Sequence, residues 1–118
     1  YIKYLDCKIG MESSKWVDFN FYGHQISAHL SSNKIDNYIT NTVDKKEIPI
    51  RHFGIILDWN DWNHLSKKLI NFKLNFIVSP YIRFKGEIGE QATMFIKDPS
   101  DNILEFKSFK NDNSIFSK

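Results

Sequence analysis

The chain has 118 residues and a mass of 14.0 kDa, which is the size of one domain. Its 16 basic and 14 acidic side chains give a net charge of +2, and this scattered balance argues against a nucleic-acid partner. No apolar run approaches the roughly 18 residues of a membrane span, and Cys7, the single cysteine, excludes an intrachain disulfide. With 42% apolar residues, we expect a soluble cytoplasmic domain with a hydrophobic core.

The sequence of the first part of the chain, residues 1–31, indicates the end of a helix followed by three short strands. Residues 1–5 have the pattern of a last helical turn, and the stretch 32–49, rich in Ser, Asn, Thr and Lys, is predicted to be a linker. Side-chain alternation in the third strand places His29 on the face away from the helix side. The three predicted strands span residues 7–11, 16–21 and 25–30, with a turn at 22–24.

The second part predicts the order strand, helix and three strands. Asn60 is the expected cap of the helix, and its apolar residues recur at the spacing of one helical face. Pro80 is expected to end the second strand. The predicted strands are residues 51–58, 75–79, 91–97 and 103–109, the turn is 98–102, the helix is 60–73, and its apolar stripe is Trp62, Leu65, Leu69 and Phe72.

An internal repeat relates the two parts. Residues 16–30 and 92–106 are both strand–turn–strand segments of equal length, and their alignment places His29 at the position of Glu105. The first part therefore repeats the ending of the second. From this spacing we expect an opening strand and most of a helix to precede Tyr1, outside these 118 residues.

Strand alternation places two imidazoles and a carboxylate on the face away from the helices. His52 and Gly54 share that face, where Gly54 is expected to leave room beside the imidazole, and Glu105 and His29 occupy it on later strands. His and carboxylate ligands with open positions suit Fe(II), Mn(II), Zn(II) or Ni(II). The alternative is that each is a partly exposed polar residue with hydrogen bonds. His29 in particular is a candidate ligand, acid/base or structural residue.

Residues 81–91 are too charged for a core and too long for a tight hairpin turn. Such a loop commonly closes a pocket over an open sheet. Arg83 is then a candidate for binding a substrate carboxylate or enolate through paired hydrogen bonds. The alternative is a solvated loop whose charges have no role in binding.

Three patterns resemble the vicinal oxygen chelate superfamily of glyoxalases, bleomycin resistance proteins and extradiol dioxygenases. They are RHFG at 51–54, DPSDNILEF at 98–106, and the spacing of Tyr1, Leu5, Cys7 and Gly10. The resemblance spans residues 1–109. It implies an α+β fold in which paired βαβββ modules form a cup-shaped half-barrel, the first module lacking its opening strand in this chain. The single domain would comprise module one at 1–31, the linker at 32–49 and module two at 50–110.

The resemblance also implies a divalent metal ion between the modules. His52 and Glu105 match the family's ligands, a third ligand is expected on a strand before Tyr1, and His29 is the candidate catalytic acid/base. Fe(II) is the first choice of metal, with Mn(II), Ni(II) or Zn(II) as alternatives. The implied activity on a small-molecule substrate is dioxygenase-like, the alternatives being a glyoxalase-like lyase or isomerase and a non-catalytic drug-binding protein. The resemblance further implies a homodimer, and the charge balance and short apolar runs indicate neither a nucleic-acid nor a membrane partner.

Overall fold

A computed structural model describes residues 1–32 and 39–116 of the chain. It divides into two compact units, Tyr1–Ile35 and Asp36–Lys118. Each unit contains a helix and strands, and the strands form open sheets, which confirms the α+β class. Among the described residues, no helix has the length and apolar character needed to cross a membrane. That the units form a single domain stays a prediction.

The first unit is a three-stranded antiparallel sheet preceded by one helical turn. The helix α1 (Ile2–Leu5) is followed by β1 (Lys8–Glu12), β2 (Trp16–Phe21) and β3 (His24–His29), in the order β1-β2-β3. Phe19 and Phe21 of β2 are buried, and Tyr1 stacks on Phe19 with ring centroids 5.1 Å apart. The predicted bounds of β2 are confirmed, while β3 begins and ends one residue earlier than expected.

The second unit contains the predicted order of strand, helix and three strands. The elements are β4 (Thr40–Val43), β5 (Lys46–Pro49), β6 (Phe53–Ile56), α2 (Trp59–Asn71), β7 (Phe76–Arg83), β8 (Gln91–Lys97), β9 (Ile103–Phe109) and a 3₁₀ turn (Asp112–Ser114). The four-stranded sheet has the order β6-β9-β8-β7, in which β6 and β9 are parallel and the other neighbours are antiparallel. The bounds of β8 and β9 match the predicted ones.

The predicted linker 32–49 contains an antiparallel β-hairpin made of β4 and β5. Its turn residues Asp44 and Lys45 both have positive φ, at 51° and 60°, as a type I′ turn requires. The Glu47 carboxylate accepts hydrogen bonds from the hydroxyls of Thr40 and Thr42 at 2.7 and 2.6 Å. The composition of this segment is polar and has no apolar alternation, so the sequence predicts a linker here rather than two strands. Residues 33–38 of this linker lie outside the described residues.

Helix α2 covers one face of the sheet at β8 and β9. Trp62, Leu65 and Leu69 are buried as predicted, and the Trp62 indole N–H donates to the Phe106 carbonyl oxygen at 2.8 Å. Phe72 was wrongly included in this stripe: it is 45% exposed because the helix ends at Asn71. The helix also begins earlier than expected, with Asp58 rather than Asn60 at its N-cap.

Strand β7 continues through Pro80, contrary to the prediction that this residue ends it. The pairing with β8 is irregular between Val78 and Tyr81, so Pro80 has no partner in the ladder. β7 is also an edge strand, where a residue without an N–H is tolerated. Consequently Tyr81 and Arg83 belong to a strand, and the loop predicted for 81–91 is reduced to residues 84–90.

The turn lengths of the two hairpins change the alignment of the repeat. A two-residue turn joins β2 to β3 and pairs Trp16 with His29, whereas the five-residue turn at 98–102 pairs Phe95 with Glu105. Trp16 therefore corresponds to Phe95 by strand pairing, and the alignment without a gap is wrong for the first strand of each hairpin. This comparison takes the correspondence of His29 with Glu105 from the sequence, and that correspondence stays a prediction.

Candidate metal centre

His52 lies directly before β6 and is oriented by a backbone carbonyl. Its Nδ1 is 2.6 Å from the Pro49 carbonyl oxygen, and its ring meets Phe95 edge to face with centroids 5.1 Å apart. Because a carbonyl oxygen can only accept, the neutral imidazole carries its proton on Nδ1. The lone pair of Nε2 is therefore available to a cation.

Glu105 lies in the middle of β9, and its side chain is 16% exposed. Its Oε1 accepts a hydrogen bond from the Thr93 hydroxyl at 2.8 Å and lies 3.3 Å from the Lys107 ammonium nitrogen. Its Oε2 is 3.5 Å from His52 Nε2. One carboxylate oxygen is thus held by protein donors, while the other faces the imidazole.

The alternation of β9 explains why Glu105 lies on this face. Leu104 and Phe106, on either side of it, are almost completely buried on the helix side, as predicted. The parallel neighbour β6 places Gly54 beside Glu105. Gly54 makes room for the Glu105 backbone, which the sequence did not predict, and its expected role beside the imidazole stays a prediction. A Cβ at this position would lie 1.8 Å from the Glu105 carbonyl oxygen.

The two facing atoms, His52 Nε2 and Glu105 Oε2, have a separation that fits one divalent cation between them. Ligand atoms about 2.1 Å from an ion lie about 3.0 to 3.4 Å apart at ligand angles of about 90° to 109°, and Nε2 and Oε2 are 3.5 Å apart. The other nitrogen of His52 and the other oxygen of Glu105 are hydrogen-bonded, which is the usual support of protein metal ligands. In residues 1–32 and 39–116 no group of three or more His, Cys, Asp or Glu side chains has ligand geometry. The structure therefore brings together two candidate ligands.

The other two predicted site residues have different surroundings. His29 is exposed at the end of β3 in the first unit, opposite Trp16, and its catalytic role stays a prediction. Arg83 ends β7, where its Nε is 2.5 Å from Asp44 Oδ2 and its guanidinium lies 5.0 Å from the Phe84 ring centroid. Its substrate-binding role also stays a prediction.

Sequence reasoning missed three residues that support this region. Thr93 shares the face of Phe95 on β8, so strand alternation could have identified it as a partner of Glu105. Pro49 and Asp44 had no such signal, because they act through contacts between the hairpin and the sheet. Burial raises the pKa of Tyr81 above its ordinary value of 10.0, and negative Asp44 and Glu105 add to this effect against the opposing charge of Arg83. The phenol therefore stays protonated at neutral pH and can donate to Asp44.

Comparison with known proteins identifies relatives among solved structures only. No family model matches the chain, and no curated protein matches it by sequence. A glyoxalase/bleomycin resistance protein/dioxygenase from Alicyclobacillus acidocaldarius is 30% identical and superposes with a TM-score of 0.75. That alignment covers 98% of this chain and 83% of the other.

More distant structures share the fold. The fosfomycin resistance protein FosX from Listeria monocytogenes is 12% identical, with a TM-score of 0.64 over 96% of this chain and 80% of its own. A lactoylglutathione lyase from Agrobacterium tumefaciens is 9% identical, with a TM-score of 0.60 over 100% and 84%. These two likenesses concern the fold alone. On the identity and coverage of the Alicyclobacillus protein, the chain belongs to the glyoxalase/bleomycin resistance protein/dioxygenase family of the vicinal oxygen chelate superfamily.

Proposed function

We propose that this protein is a metal-dependent enzyme that binds two adjacent oxygens of a small substrate through a divalent cation held by His52 and Glu105. The observation that carries the proposal is the 3.5 Å separation of His52 Nε2 and Glu105 Oε2. Both residues use their remaining polar atom for a protein hydrogen bond. Such orientation is expected of ligands and is unnecessary for surface residues.

Each residue of the pair has a defined task in this proposal. His52 presents an Nε2 lone pair because Pro49 fixes the proton on Nδ1. Glu105 supplies negative charge, and the Thr93 hydroxyl keeps its Oε1 in place. The Phe95 ring packs against the imidazole, with ring centroids 5.1 Å apart. When bound, the divalent cation supplies two-point attachment of the substrate and stabilises the negative charge that develops on its oxygens.

The reaction we propose first is dioxygenase-like with Fe(II), and the alternative is a glyoxalase-like lyase or isomerase with Ni(II) or Zn(II). The family name of the Alicyclobacillus protein covers both activities as well as drug resistance. Stoichiometric Fe(II) and oxygen uptake that depends on added catechol would support the dioxygenase. Preference for Ni(II) or Zn(II) without oxygen uptake would support the lyase or isomerase.

The metal site is tested by titrating the metal-free protein with Zn(II) and, under anaerobic conditions, with Fe(II). We expect binding by calorimetry, and His52→Ala should weaken it at least about tenfold, since even a lost supporting partner costs that much. His64→Ala is the matched control, because His64 is exposed on α2. If the wild type and both variants bind the metal equally, or none binds it, a non-catalytic binding protein replaces this proposal.

We also propose a homodimer. The edge strand β6 exposes apolar residues, with Phe53 at 41% and Ile56 at 43% exposure, and such edges favour pairing with a further chain. Light scattering at micromolar concentration should give twice the chain mass of 14.0 kDa. A species of 14.0 kDa at all concentrations would contradict the dimer.

A further inference from the structure

The β4–β5 hairpin, Thr40–Pro49, is fixed at its turn to the far edge of the four-stranded sheet. Asp44 in the turn is 2.5 Å from the Arg83 Nε on β7. The Lys46 ammonium lies 4.7 Å from the centroid of the Tyr81 ring. The turn end of the hairpin is therefore held by an ion pair and a cation–π contact.

The other end of the hairpin is attached to the candidate metal centre. Pro49 is fully buried, and its carbonyl oxygen is the partner of His52 Nδ1. Between the two ends, Ile48 packs against the buried cluster of Val78, Phe95 and Ile103. The hairpin thus connects Arg83 at the end of β7 with His52 before β6.

We propose that the Asp44–Arg83 ion pair holds the hairpin in the position from which the Pro49 carbonyl keeps the proton of His52 on Nδ1. Asp44 and Arg83 are then positioning residues for the metal ligand, although neither contacts it. The expected effect of the ion pair on metal binding rests on the proposed function. Its effect on the position of the imidazole proton does not, because that is a property of the metal-free protein.

The turn end of the hairpin gains from such an attachment because a two-stranded hairpin is marginally stable alone, and the packing of Ile48 and Pro49 holds its other end. Its strands have four residues each and pair only with one another among the described residues. When the ion pair is removed, we expect the hairpin to shift about Ile48, so that the Pro49 carbonyl is held less firmly against the imidazole. The proton is then free to occupy Nε2, where it blocks the lone pair that a cation needs.

The test measures the histidine tautomer by long-range ¹H–¹⁵N NMR in the metal-free protein at about pH 8, where ordinary imidazoles are neutral. His52 signals are assigned by their loss in His52→Ala. We expect the Nδ1–H form in the wild type and a mixture of both forms in Asp44→Asn and in Arg83→Gln. Zn(II) affinity should fall about tenfold in each variant. The double variant should resemble either single one, because both substitutions break the same contact.

Lys97→Gln is the matched control, since it removes an ion pair of the same 2.5 Å length, to Asp101, on the same sheet. It should leave the tautomer and the affinity unchanged. A wild-type His52 with its proton on Nε2, or single variants with the wild-type tautomer, would overturn the inference. If the wild type binds no metal but the tautomer still changes in the variants, the proposed function is overturned. The coupling between the Asp44–Arg83 ion pair and His52 is then supported.

Discussion

Replacing Glu105 with glutamine is expected to lower the affinity for Zn(II) or Fe(II) at least about 100-fold, because groups that only orient a ligand already contribute about 10- to 100-fold. The substitution removes the negative charge but keeps the side-chain volume. An amide oxygen can still accept the hydrogen bond of the Thr93 hydroxyl, so the fold should be retained. Calorimetric titration measures the affinity, and circular dichroism with thermal unfolding checks the fold.

Glutamine is a sharper test than alanine at this position. Thr93 is 3% exposed, and alanine at 105 would leave its hydroxyl without an acceptor, at a cost of about 1–3 kcal/mol. Glu87→Gln is the matched control, because it makes the same chemical change in an exposed loop. Unchanged affinity in Glu105→Gln would mean that Glu105 serves as the partner of Lys107 and His52 rather than as a ligand.

Replacing Gly54 with alanine is expected to lower the free energy of unfolding by about 3 kcal/mol or more, at the upper end of overpacking effects. The added Cβ would lie 1.8, 2.7 and 3.0 Å from the O, C and Cα atoms of Glu105. All three are backbone atoms, so no side-chain rotation relieves the overlap. β6 would have to move away from β9, which weakens their parallel hydrogen bonds. Denaturant unfolding monitored by tryptophan fluorescence measures the loss.

Gly10→Ala provides the comparison for Gly54→Ala. A Cβ at Gly10 has its nearest neighbour, Asp18 Cβ, at 3.4 Å, which is an ordinary contact. We expect a change within about 1 kcal/mol there, since alanine is favoured over glycine inside a strand. The shift of β6 in Gly54→Ala should also displace His52 and weaken metal binding. Wild-type stability of Gly54→Ala would show that the two strands are less closely packed than the structure has them.

The sequence by itself determined three features of the second unit: the order of strand, helix and three strands, the bounds of β8 and β9, and the face on which Glu105 lies. The turn residues 98–102 and the apolar runs on either side of them set the inner ends of β8 and β9. Alternation around Glu105 placed Leu104 and Phe106 on the buried side and Glu105 on the opposite face. The spacing of Trp62, Leu65 and Leu69 identified the packed side of α2. These are periodic, local signals, because burial of one face requires the same residue type at every repeat.

The tertiary structure alone decided how the candidate ligands are oriented. The partner of His52 Nδ1 is a backbone carbonyl, whose acceptor atom is present in every residue and gives no compositional signal. Asp44 and Arg83 lie 39 positions apart and belong to a polar hairpin and an edge strand, so no local pattern links them. The need for glycine at position 54 likewise arises from the close approach of the Glu105 backbone on β9. Such contacts between distant segments form only when the chain packs, and for this reason the sequence predicted His52 and Glu105 but not the residues that hold them.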